Sequence, residues 1–204
     1  MFRAVQGERS VVLNFRRRPE SEFDVYARPF HDAARALARR AFRSRRAREL
    51  DALPVVFLYR HALELSMKAV VLEGNRRLDL FGEGLPANEL WELLNGHRLT
   101  RLLPEIRRVF KGAGWGWYWE DATIRTFAGV QRVLRDLERV DPDSFTFRYP
   151  TNTRGEASVP HHFEFNLRAF VSVVEPLVEA FDTVAFGLRA EYGQITDAIS
   201  EQWR

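Results

Sequence analysis

Apolar side chains return every three or four residues over most of the chain, the period of helices that bury one face. From about Ser21, the series Phe23, Tyr26, Phe30, Ala34, Leu37 and Ala41 predicts an amphipathic helix, with Arg35, Arg39 and Arg43 stacked on another face. Between about Leu53 and Glu73, Leu58, Ala62, Leu65, Ala69 and Leu72 form one apolar face, and Tyr59, Leu63, Met67 and Val70 form the next. A helix apolar on two adjoining faces belongs at the centre of a bundle. Arg60, His61, Glu64 and Lys68 occupy the narrow strip that remains, with Arg60–Glu64 and Glu64–Lys68 both four residues apart. Such a strip either faces solvent or lines a cleft, and Glu64 is its central residue.

A loop with Gly74, Gly82, Gly84 and Pro86 precedes a short helical piece near Ala87–Leu94, which Asn95-Gly96 ends. His97 opens the next helix, whose apolar positions Leu99, Leu102, Leu103, Ile106 and Phe110 run to the stop Lys111-Gly112-Ala113-Gly114. Ile124, Phe127, Val130, Leu134 and Leu137 predict a helix from about Glu120 to Val140, closed by Asp141-Pro142. The alternating Phe145-Thr146-Phe147-Arg148-Tyr149-Pro150 and the turn-forming Thr151–Glu156 suggest a small hairpin or ordered loop. The last helix carries a seam from Phe163 through Leu167, Phe170, Val174, Leu177, Phe181, Val184 and Leu188, with Pro176 expected to kink it and Gly187 and Gly193 as possible breaks. Residues 1–20 lack this period and are read as an arm. The reading is therefore all-α: residues 21–204 as one up-and-down bundle of four to five long helices, with a hairpin or ordered loop before the last.

Composition narrows the chemistry. Cysteine is absent, which removes disulfides, thiolate nucleophiles and cysteine-ligated zinc. The first residues lack an apolar signal core, and no apolar run is long enough to span a bilayer, so a cytoplasmic protein without a membrane partner is expected. Net charge is only +3, although Lys68 and Lys111 are the only lysines among 31 basic residues. That arginine skew fits either a phosphate-binding surface or a G- and C-rich coding sequence.

No phosphate loop, zinc-protease motif, nucleophile elbow or EF-hand is present. His161 and His162 are adjacent and diverge on a regular backbone, and no histidine pair has helical metal-site spacing, so neither metal nor cofactor is expected. The Trp115-Gly116-Trp117-Tyr118-Trp119 cluster either caps the core or stacks on bases.

The segment Phe57-Leu58-Tyr59-Arg60-His61-Ala62-Leu63-Glu64-Leu65-Ser66-Met67-Lys68-Ala69-Val70, followed by Gly96-His97-Arg98-Leu99, resembles the HEPN superfamily of small helical bundles. Phe147-Arg148-Tyr149-Pro150 ahead of a long final helix resembles a bacterial branch of it, so the likeness spans about residues 22–190. The resemblance implies a homodimer and, in active members, a metal-independent endoribonuclease of toxin–antitoxin or antiphage systems, acting with an antitoxin or defence-system partner. Active members carry an arginine four to six residues before a histidine, and here Arg154-Gly155-Glu156-Ala157-Ser158-Val159-Pro160-His161 fits. The resemblance accordingly nominates Arg154, His161 and Glu64 as catalytic, with Arg60, His61, His97, Arg148 and Tyr149 binding RNA or another ligand. A catalytically silent module that binds RNA, a nucleotide or a partner protein is the other reading.

Overall fold

The computed structural model describes residues 22–43, 51–117, 119, 124–152, 154–159 and 163–202. The expected arm, Tyr118, His161 and His162 lie outside them. Helix α2 (Ala52–Asp79) is the axis of the structure, as its two apolar faces require: Val55, Tyr59, Leu63, Met67 and Val70 are all buried. It packs chiefly against α1 (Phe23–Arg43) and α6 (Leu167–Gln202), and on another side against α4 (Leu103–Ala113) and the 3-10 turn Leu99–Leu102 that leads into it. The short α3 (Ala87–Asn95) adds Leu90 and Leu94 to the core, and α5 (Phe127–Val140) adds Val130 and Leu134. The architecture is an all-α bundle.

Gly74 is required where α2 meets α4, because a Cβ there would lie 2.3 Å from Val109 Cγ2. Helix α4 ends on Gly114, whose φ of +69° is left-handed and favours glycine, as its sequence suggested. Trp115, Trp117 and Trp119 pack on the core as a chain of ring contacts from Phe110 to Phe181, so the tryptophans serve as a core cap.

Some boundaries need correction, the first being Gly74, which lies inside α2 and not in the loop after it. Helix α5 begins at Phe127, not near Glu120: Thr126 caps it by accepting a hydrogen bond from Gly129 N–H at 3.0 Å, and Ile124 packs into the core from a turn. Of the hairpin or ordered loop expected before the last helix, the ordered loop is found: Phe145–Tyr149 folds as turns, because Asp141 Oδ1 accepts the N–H groups of Phe145 and Thr146 that a ladder would need. What remains of the hairpin is one antiparallel bridge, Thr151 to Ala157. Finally, α6 does not break at Gly187 or Gly193, and it also contains Pro176. Its buried row Val174, Leu177, Phe181, Val184 and Leu188 supplies the packing that offsets those weak helix formers, and a Cβ at Gly187 would meet the Trp115 ring at 3.0 Å.

One clamp holds α1, α2 and α6 together. Glu175 accepts from Arg35 Nε at 2.5 Å and from the Tyr59 hydroxyl, with His31 Nε2 at 3.3 Å. Burial would raise its pKa, but the close approach of His31 and the hydrogen bonds from Tyr59 and Arg35 outweigh that and lower it from 4.5 to about 2. A depressed carboxyl stabilises the fold above its ordinary value, and that contribution is lost as pH falls from 4.5 towards 2. Glu175→Gln should therefore cost about 1–2 kcal/mol at pH 7, a figure reduced for solvent screening of a partly exposed group, with the difference from wild type vanishing near pH 2. Urea titrations of both proteins between these pH values measure it; an equal difference at every pH would rule out the ionic clamp.

Candidate functional site

The polar strip of α2 turns inward. Arg60, Glu64 and Lys68 are buried, with Arg60 1% exposed, so the strip forms a charged centre under the surface. Arg60 Nη1 donates to Glu64 Oε2 at 2.9 Å, and Lys68 Nζ donates to Glu64 Oε1 at 2.7 Å. The other edge of the guanidinium holds the chain ends around it: Nε donates to Asp141 O at 3.1 Å and lies 3.3 Å from Asp141 Oδ2, while Nη2 donates to His97 O at 2.9 Å. Two cations and two carboxylates thus balance in charge, which is the condition for keeping four such groups out of water.

His97 is the member that reaches the surface. Its Nδ1 lies 2.9 Å from Glu64 Oε1, and its side chain is 55% exposed. Burial would raise the Glu64 pKa, but Lys68, His97 and Arg60 outweigh it and hold the carboxyl below its usual value. An ionised carboxylate only accepts hydrogen bonds, so Nδ1 is the donor and the lone pair of the neutral ring sits on Nε2. The position of His97 is fixed from behind. Leu99 and Leu102 of the 3-10 turn are buried, and Glu138 of α5 accepts from both Thr100 N–H and its hydroxyl at 2.7 Å.

His61 stands beside this centre between Phe30, edge-on at 4.5 Å, and Phe57, stacked at 5.7 Å. Burial lowers its pKa, reinforced by Arg148, Lys68 and Arg60 against the opposing charge of Glu64, so the ring is neutral at pH 7. Arg148 anchors by Nε to Ser144 O at 2.6 Å, where Ser144 takes a left-handed φ of 60°. Its guanidinium lies over Phe57, Phe145 and Tyr149, and the last two rings stack at 4.5 Å and are exposed. This is an arginine-and-aromatic surface next to His61.

Of the residues nominated from sequence, Arg60, His61, Glu64 and His97 come together, with Arg148 and Tyr149 alongside. Arg154 does not join them by any direct contact. It is 77% exposed and pairs with Glu156 at 3.0 Å in a turn that Asn152 Oδ1 closes by accepting from the N–H groups of 154 and 156. It approaches the centre only across a hollow of about 390 Å³ that it lines together with Asp141 and Pro142. His161 lies outside the described residues. Asp141 was missed: it reads in sequence as a helix stop, and nothing local reports that its carboxylate faces Arg60.

Among the described residues, no group of three or more side chains suited to hold a metal comes together, and no helix is long and apolar enough to cross a membrane. No family model, curated protein or solved structure matches the chain.

Proposed function

We propose that the chain is a HEPN-like helical domain that cleaves RNA without a metal ion, using His97 as the acid–base group and Glu64 as its positioning residue. The observation that carries this reading is the buried carboxylate on Nδ1 of a half-exposed imidazole, which leaves Nε2 as the proton acceptor. In the proposed step Nε2 takes the proton of a ribose 2′-hydroxyl. The 2′-oxygen bonds to phosphorus, the bond to the 5′-oxygen breaks, and that oxygen leaves with a proton from water. The imidazolium so formed gives the balanced cluster one net positive charge, which the phosphate complements. Arg148 and the Phe145–Tyr149 stack would hold an unpaired base. The homodimer, the toxin–antitoxin or antiphage setting and a defence-system partner rest on the sequence resemblance alone.

The second reading, a HEPN-like module that binds RNA, a nucleotide or a partner protein without cleaving, is favoured by one observation: the Arg154 side chain is tied to Glu156 in an exposed turn. Cleavage of mixed-sequence RNA and tRNA in EDTA by wild type, His97→Ala and His161→Ala separates the two. Wild-type cleavage that falls about 10²–10⁴-fold in His97→Ala is the expected result. Loss in His161→Ala with activity kept in His97→Ala would transfer the role to His161, and RNA bound but uncut by wild type would establish the binding module.

A further inference from the structure

The chain holds a second cavity that the charged centre does not use. It opens where α5 and α6 diverge, with a volume of about 440 Å³, inside the range of roughly 300–1,000 Å³ typical of small-ligand pockets. One wall is an aromatic run: Phe147 to Phe163 at 6.5 Å, Phe163 to Phe165 at 5.5 Å and Phe165 to Phe170 at 6.3 Å between ring centres. Val133 and Leu137 of α5 form the other. Among the helices and turns, α5 lies closest to the 3-10 turn, and its Val133 and Leu137 rest against the core while remaining only partly buried where they line the cavity.

The charges at the mouth select the occupant. Both carboxylates of this stretch of α5 are engaged, Asp136 with Arg139 at 3.1 Å and Glu138 with Thr100. Arg132, exposed at the rim, has no carboxylate partner among the described residues. Asn166 adds an amide at the same rim, its Oδ1 already accepting from Ala169 N–H. An apolar trough that ends on one unpaired guanidinium complements a molecule with an apolar tail and a single anionic head.

We propose that this cavity binds a medium-chain acyl carboxylate, the tail lying along the phenylalanine wall and the carboxylate on Arg132. The site stands independently of the ribonuclease reading.

Decanoate below its micellar range, titrated calorimetrically into the full chain, is the probe, with decanol as its uncharged counterpart. Saturable binding of one equivalent is expected, tighter for decanoate than for decanol. Ala169→Phe, which fills the trough from an exposed position of α6, should weaken it about ten-fold or more, and Val133→Phe does the same from α5 should the first variant fail to fold. The surface change Arg132→Gln should weaken decanoate about five-fold and leave decanol unchanged. Absence of saturable binding by wild type, or a decanoate preference that survives Arg132→Gln, would overturn the proposal. Wild type that takes no decanoate but self-associates in a manner abolished by Ala169→Phe would overturn it in favour of a second copy of the chain as occupant.

Discussion

Arg60→Met is expected to destabilise the fold by about 3–5 kcal/mol, the usual cost of breaking a buried ion pair from one side. For a chain of this length that corresponds to a fall in Tm on the order of 10 °C. Methionine fills much the same volume, so the loss is electrostatic in origin. It leaves the buried Asp141 carboxylate without its cation and strips donors from the carbonyls of His97 and Asp141. Arg60→Lys should recover little of this. One ammonium cannot reach Glu64, Asp141 and His97 O at once, whereas the planar guanidinium does so with three nitrogens. Asp141→Asn placed in the Arg60→Met background should restore part of the stability, since the amide oxygen can still accept from Phe145 and Thr146 while the stranded charge is gone. Urea denaturation of the three variants checks this, and a cost below about 1 kcal/mol for Arg60→Met would mean that water already solvates the cluster.

What the sequence disclosed follows from how local each signal is. The α2 strip was legible because Arg60, Glu64 and Lys68 sit four residues apart on an otherwise apolar helix, but its enclosure was not, since solvent or a cleft was expected beside it and all three side chains are buried. Its partners were not legible. Asp141 lies 81 residues from Arg60 and reads locally as a helix terminator, and the tie from Glu138 to Thr100 depends on how α5 crosses the 3-10 turn. The clamp on Glu175 escaped for the same reason: His31, Arg35, Tyr59 and Glu175 come from three helices, and each is unremarkable in its own. Local period also misplaced the start of α5, because Ile124 is apolar at a helical spacing yet buried from a turn. The Arg154–His161 spacing was visible at once, but spacing along a loop does not fix where a side chain goes. Asn152 and Glu156 keep Arg154 in its own turn.

On the proposed ribonuclease reading, Glu64→Gln is expected to lose RNA cleavage by about 10²–10⁴-fold, as much as His97→Ala, although Glu64 need never touch the substrate. The loss comes from the tautomer of His97. With Glu64 ionised, Nδ1 of His97 carries the proton and Nε2 is a base. A glutamine at the same place can turn its NH₂ towards Nδ1, which puts the proton on Nε2 and removes the base while preserving shape. It also removes the anion that stabilises the imidazolium, and leaves Arg60 and Lys68 facing one carboxylate fewer. Rates must therefore be compared at a temperature where circular dichroism reports the variant folded. A positioning role predicts that kcat falls with KM unchanged, that Glu64→Asp restores part of the rate, and that Glu64→Gln/His97→Ala is no slower than His97→Ala alone, because both changes disable one unit. Folded Glu64→Gln that keeps more than about a tenth of the wild-type rate would reduce Glu64 to a structural tie for Lys68 and Arg60, and would leave the orientation of His97 to its backbone bond with Arg60.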